Sequence, residues 1–424
     1  MLKILINSYT CCPNMGSEPG MGWNWCVNLA KHCELFIVTE GEYRNQIEEW
    51  LRITEHANVA GRMHFYYNPV TERIRHMCWN QGDWRFYKYY KEWQLKTADI
   101  ARDLCRKEKI DILHQLNMIG FREPGYLWLV SQETGIPFVW GPIGGLKQFP
   151  IAYTKGESIK LRAFLRLKNF LNIWQLKYSR RVDKALKRAS LLVSSIPDSY
   201  QAIKKYKGLE SVIIPETGTF IESIFKDNPQ RFRNEELTVL WVGKFDFRKR
   251  LDIAIKSIAL AQKGGGKIRL EVFGTGSERQ QKVKYLAQNL GIAESVIWMG
   301  NRSNNEVTEE MRKADMLLFT SINEDTSTVV LEAISNHLPV LCFDAFGMAS
   351  VITEDIGFKI PLTNPEQSVK DFAEKIKYLY NHRSTLEKMS QKCIDRAIEL
   401  SWENKAGQLI GHYKRIIDNN QNGL

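Results

Sequence analysis

The chain has 424 residues, 44% of them hydrophobic, and a formal net charge of +11, which is enough to bury the cores of two domains and gives a surface field that favours anionic partners. No apolar run approaches the ~20 residues of a spanning helix, so a helical membrane protein is excluded. The eight cysteines form no CxxC and the histidines no zinc-finger pair, so a zinc module is excluded as well, and a reduced, cytosolic chain is expected.

Along the first half, short apolar and often β-branched runs recur at 3–8, 34–39, 63–67, 110–116, 136–140 and 191–195, with amphipathic stretches between them. The opening run reads as a strand rather than a signal segment. A second set follows at 211–214, 238–242, 268–273, 296–299, 316–320 and 339–343. Continuous apolar strands alternating with helices imply parallel sheets covered on both faces, so two doubly wound α/β domains in tandem are predicted. The join is expected between 196 and 215, where Pro197 and Pro215 flank a helical stretch. Helical patterns at 371–400 and 402–417 close the chain, the latter with Leu409, Ile410, Tyr413, Ile416 and Ile417 on one stripe.

Several segments carry chemistry. After the first run comes Met15-Gly16-Ser17-Glu18-Pro19-Gly20-Met21-Gly22-Trp23, a glycine-rich loop without the Gly-x-Gly-x-x-Gly spacing of a dinucleotide site. His114 and Asn117 stand at the end of the run 110–116, where open α/β sheets bind ligands. After the run 238–242, Gly243-Lys244-Phe245-Asp246-Phe247-Arg248-Lys249-Arg250-Leu251-Asp252 sets a glycine and several cations at a strand's carboxyl end, and Gly274-Thr275-Gly276 follows the next run. After the run 316–320, Glu324 precedes Thr326, Ser327 and Thr328, three N-cap candidates for a helix that carries Glu332. A helix start offers N–H groups and positive dipole to an anion such as a pyrophosphate.

The two glutamates, separated by seven residues and followed by Ala-Ile-Ser-Asn-His-Leu-Pro-Val, resemble the signature of glycosyltransferase family 4, retaining enzymes of the GT-B fold. The segment 243–252 resembles the family's Gly-Arg-Leu-x-x-x-Lys-Gly-x-Asp motif, with Lys244 at the Arg position and Lys249 at the Lys; His337 replaces the usual Gly. The resemblance implies two Rossmann-like domains facing a cleft: an acceptor domain at 1–200, a donor domain at 201–400, and a helix at 401–424 crossing back to the first domain. It implies transfer of a sugar, with retention, from a nucleoside diphosphate sugar to a hydroxyl of a glycan or lipid-linked glycan, as in surface polysaccharide synthesis. Lys249 and Lys244 would stabilise the departing diphosphate, Glu324 would hold the sugar and Glu332 the ribose. Gly16, Ser17, Gly243, Gly274, Gly276, Thr326, Ser327 and Thr328 would line the donor, and His114 and Asn117 would touch sugar or acceptor. No metal or other cofactor is expected. The departures at Lys244, Ser327 and His337 leave room for a catalytically silent nucleotide-sugar-binding or membrane-scaffold subunit, and the fold alone for an epimerase or hydrolase of the nucleotide sugar.

One basic stretch stands apart. Residues 151–190 hold eleven Lys or Arg against Glu157 and Asp183, interleaved with Leu161, Phe164, Leu165, Phe170, Leu171, Ile173, Trp174 and Leu176. That is the pattern of an amphipathic helix on an anionic membrane, so a peripheral position on the inner face of a membrane is a second expectation. No nucleic-acid module is visible to compete for it.

Overall fold

A computed structural model describes residues 1–80, 83–221 and 228–421. They form two units, each built on its own parallel sheet. The first sheet holds β1 (Lys3–Ser8), β2 (Glu34–Thr39), β3 (Met63–Tyr67), β4 (Ile112–Asn117), β5 (Phe138–Ile143), β6 (Leu191–Ser194) and β7 (Val212–Ile213), in the order β3-β2-β1-β4-β5-β6-β7. The second holds β8 (Leu237–Val242), β9 (Ile268–Phe273), β10 (Val296–Gly300), β11 (Met316–Phe319), β12 (Val340–Phe343) and β13 (Gly357–Ile360), in the order β10-β9-β8-β11-β12-β13.

The strands are apolar throughout because side chains alternate between two buried faces. On β1, Ile4 and Ile6 enter one core and Leu5 the other. On β11, Met316 and Leu318 face one way and Leu317 and Phe319 the opposite way. Both sheets are thus doubly wound, as predicted. Two run assignments change. Residues 211–214 do not open the second sheet: Val212 and Ile213 pair with Val193 and Ser194 of β6 and form the edge of the first. An apolar run carries no mark of the sheet it joins, and only the pairing decides. The strand β13 was not foreseen, because an edge strand is half covered and Gly357-Phe358-Lys359-Ile360 has no continuous apolar character.

The chain leaves the first unit at Gln148–Phe170 to pack with the second. Phe149, Tyr153 and Leu165 lie in the second unit's core. Tyr153 is tied there by a 2.6 Å hydrogen bond between its hydroxyl and Ser368 Oγ and by Arg250 Nη1, which donates to its carbonyl at 3.1 Å.

The last helix, Trp402–Gln421, belongs to the first unit. It buries Trp402, Ala406, Leu409, Ile410 and Tyr413, with Ile416 and Ile417 packed at the margin, at the spacing of one helical face. Its anchor is polar. The Tyr413 hydroxyl lies 2.6 Å from His114 Nδ1, and His114 Nε2 lies 2.7 Å from the Gly141 carbonyl. Because a carbonyl only accepts, Nε2 carries the proton and Nδ1 accepts from Tyr413. Burial pushes this imidazole down to about 4, so the folded protein holds it neutral while the unfolded chain protonates near 6.5. The stabilisation is complete above pH 6.5 and is lost as pH falls toward 4, by up to about 3 kcal/mol. Urea midpoints at pH 7 and pH 4.5 should therefore separate more in the wild type than in His114→Gln, whose acid sensitivity lacks this contribution.

Candidate functional site

In the second sheet the winding reverses between β8 and β11: β9 and β10 extend one way, β12 and β13 the other. The loops leaving the carboxyl ends of strands at such a reversal splay apart and leave a crevice for ligand. The loop after β8 carries residues 243–250, and the loop after β11 carries residues 320–327.

The first of these loops is shaped by Asp246. Its Oδ1 accepts from the backbone N–H of Arg248 at 2.8 Å and of Lys249 at 3.1 Å, a carboxylate-capped turn. The second loop then grips the first. Thr320 Oγ1 donates to the Lys249 carbonyl at 2.8 Å and accepts from Trp241 Nε1 at 3.0 Å, and the Ile322 N–H donates to the Arg248 carbonyl at 2.9 Å. Arg250, left-handed at φ 51°, closes the turn with a two-pronged bond to Asp252, 2.8 Å on each arm.

Held this way, Lys249 Nζ stands 2.7 Å from Glu324 Oε1, and Ser321 Oγ donates to the same oxygen at 3.0 Å. The side chains of Lys249 and Glu324 are 15% and 20% exposed, so the pair is partly desolvated yet reachable. Lys244 is exposed in the same loop, with no side-chain partner among the described residues.

The helix Thr328–Ser335 follows, with Ser327 at its N-cap and no side chain capping it. Of the three expected candidates Ser327 takes the N-cap position, and its side chain makes no capping bond; Ser327 is buried and contributes its carbonyl to Val330 and Leu331 at 3.2 Å. Val330, Leu331, Ala333 and Ile334 anchor the helix in the core. Glu332 is left half-buried on the other side, its carboxylate without a hydrogen-bond or ion-pair partner among the described residues. Burial alone raises its carboxyl above the usual range, which suits a group that gains its hydrogen bonds from a ligand. At the far end of the helix, His337 takes the left-handed conformation, φ 58°, with Nδ1 3.1 Å from the Ser390 carbonyl; this is a glycine's position, here held by a ring contact.

Gly243, Gly274 and Gly276 face close neighbours rather than open space. A Cβ on Gly274 would lie 1.9 Å from the Gly243 carbonyl oxygen, and one on Gly276 2.7 Å from Phe245 Cβ. These glycines set how closely the loops after β8 and β9 approach. Two contributors escaped the sequence reading. Ser321 was hidden as one more small residue in a loop. Gly347 backs the glutamate loop, since a Cβ there would fall 2.3 Å from the Asp325 carbonyl oxygen; the signal was a glycine just past the run 339–343.

In the first unit the winding reverses between β1 and β4. Gly16 and Ser17 are exposed at the start of the helix Ser17–Ala30, which follows β1, and a Cβ on Gly16 would meet nothing within 4 Å. His114 and Asn117 are corrected. Both are fully buried. His114 has both ring nitrogens engaged, as above, and Asn117 Nδ2 donates to the Thr10 carbonyl at 2.8 Å. Neither presents a free polar atom to a sugar, and both serve the core.

Comparison with known proteins gives this geometry a context. The family described as Glycosyl transferases group 1 matches residues 223–399. The D-inositol 3-phosphate glycosyltransferase of Nocardia farcinica is 26% identical over 188 residues, 43% of this chain and 41% of that protein, so the chain spans about two fifths of this relative's length. The lipopolysaccharide glucosyltransferase WaaG of Escherichia coli is 32% identical over 122 residues, 29% of this chain and 32% of its own. Among solved structures, Anabaena HepE in complex with UDP and glucose superposes with a TM-score of 0.57 at 15% identity, covering 98% of this chain and 100% of that one. The two parallel sheets have the GT-B fold, and the whole Lys249–Glu324–Glu332 constellation falls within residues 223–399, the stretch that resembles the glycosyl transferases group 1.

Proposed function

We propose that the chain is a retaining glycosyltransferase that moves a sugar from a nucleoside diphosphate sugar to a hydroxyl of a glycan or lipid-linked glycan in surface polysaccharide synthesis. The observation that carries this reading is the Lys249–Glu324 pair, 2.7 Å apart at the winding reversal of the second sheet, with Glu332, whose carboxylate has no partner among the described residues, in the helix that follows. In this reading the diphosphate approaches the uncapped start of the helix Thr328–Ser335, Lys249 and the exposed Lys244 neutralise the charge that builds as the glycosidic bond breaks, and Glu324 turns to the sugar hydroxyls. Glu332 accepts from the ribose. The leaving group's charge is carried by side chains, so turnover is expected to be unchanged in EDTA. Thermal shifts against a panel of sugar nucleotides identify the donor. Turnover with that donor and an acceptor glycan, with the anomeric configuration read by NMR, then tests transfer and retention together; product formed without acceptor, or inverted product, would overturn the reading.

A membrane-bound acceptor has its own support. The helix Ile159–Tyr178 exposes Phe164, Leu167, Leu171, Trp174 and Tyr178, spaced three and four apart and so on one stripe, while Leu165 and Leu176 are buried on the opposite side. Arg166, Lys168 and Lys177 are exposed beside the stripe, the arrangement of a helix lying in an anionic interface. No helix among the described residues is long and apolar enough to cross a membrane. The protein should co-sediment with phosphatidylglycerol vesicles and not with neutral ones. Arg166→Glu with Lys177→Glu should release it, and equal pelleting with both vesicle types would sink the idea.

A further inference from the structure

A second polar cavity lies wholly in the first unit. Arg122 follows β4 and stacks its guanidinium over the Phe121 ring, 5.0 Å from the centroid. Its Nε donates to Gln175 Oε1 and its Nη2 to Asn172 Oδ1. Asn172 is buried, and its Nδ2 is committed to the carbonyls of Gly145 and Lys147, 3.4 Å from each, so its oxygen is held toward Arg122. The guanidinium is thus fixed by two neutral amides. Among the described residues no carboxylate pairs with it: the adjacent Glu123 is taken by Arg181, which also reaches the Tyr126 hydroxyl at 3.3 Å. Arg122 and Arg181 line a cavity of about 480 Å³ together with Tyr87, Glu123, Gln175 and Ser179.

Removing a cation from water is costly unless a counter-charge accompanies it. The Glu123 carboxylate offsets only one of the two guanidiniums, and burial lowers the pKa of Arg122. A rigid planar fork with one positive charge to spare is built for an oxyanion. The cavity lies in the size range of small-molecule sites, larger than a bare anion needs. Gln175 and Ser179 add hydrogen-bonding groups and Tyr87 an aromatic face.

We propose that this cavity binds an oxyanion, phosphate or carboxylate, carried on a molecule the size of one sugar, with Arg122 as its principal cation. The proposal rests on no step of the transfer reaction. Calorimetric titration with glucose 6-phosphate, glucuronate and glucose tests it on the full chain. Saturable binding of the phosphate or the carboxylate, and none of neutral glucose, is expected, and the arm that binds names the anion. Arg122→Gln should weaken binding about tenfold or more. Gln175→Glu places a carboxylate beside the guanidinium; it should raise the unfolding midpoint of the ligand-free protein and abolish binding. Lys249→Ala, in the other unit, should bind as the wild type does. The proposal falls if neither oxyanion binds saturably, if glucose binds equally, if Gln175→Glu lowers the midpoint or keeps the affinity, or if Lys249→Ala loses it.

Discussion

Alanine at Lys249 or at Glu324 is expected to lower turnover of the sugar nucleotide by ~10²–10³-fold, the range found when a preorganised electrostatic group is removed from a developing charge. The two side chains hold each other in the free protein, Nζ to Oε1 at 2.7 Å, with Ser321 as a third partner, so each loss also disorders the survivor. Residues that act as a unit are not additive, and the double variant should be no more than about tenfold slower than the worse single one. Stability should change little, by about 1 kcal/mol, because both side chains keep access to water. Glu332→Gln should behave differently. Its carboxyl is partly buried and raised by burial alone; if it holds ribose equally in ground and transition states, KM for the donor rises while kcat holds. Steady-state kinetics on the four variants decides this. Wild-type turnover in Glu324→Ala would reduce the pair to a structural ion bridge.

The parts of this site that the sequence disclosed are the parts set by local spacing. Strands β8, β9 and β11 read as apolar runs because both sheet faces are covered; Gly243 and Gly274 directly follow their runs, and Lys249 and Glu324 lie in the loops that leave β8 and β11, so all four were found after strand ends. That Lys249 meets Glu324 is a different kind of fact. It follows from β8 and β11 being neighbours and from Thr320 and Ile322 bonding the carbonyls of residues 248 and 249, contacts about seventy positions apart in the chain. His114 misled for a related reason. A histidine at a strand's carboxyl end looks available, and only the return of Tyr413, 299 positions later, shows that its second nitrogen is taken. The apolar stripe from Phe164 to Tyr178 was visible as composition, but which of its members face outward depended on Leu165 and Leu176 being claimed by the two cores.

Gly274→Ala is expected to be the most damaging single methyl in the second unit. The residue sits at φ +129°, where a side chain is strained, and its Cβ would enter the Gly243 carbonyl, 1.9 Å from the oxygen and 2.9 Å from the carbon. Neither atom is the free end of a flexible side chain. The Gly243 N–H is bonded to the Phe273 carbonyl at 3.0 Å, and the Phe245 N–H to the Thr275 carbonyl at 3.2 Å, so the clash can be relieved only by pulling the loop after β8 away from the loop after β9. Backbone strain of ~1–3 kcal/mol and overpacking of similar size give a cost of about 4 kcal/mol. Gly265 supplies the control: it also has positive φ, +85°, but a Cβ there meets nothing within 4 Å, so Gly265→Ala isolates the strain alone, about 1–2 kcal/mol. Urea unfolding of the two variants measures the difference, and a gap below about 1 kcal/mol would show that the loops yield. Because the displaced loop is the one that carries Lys249, whatever fraction of Gly274→Ala remains folded should also turn over more slowly than the wild type at equal folded concentration, whereas Gly265→Ala should not.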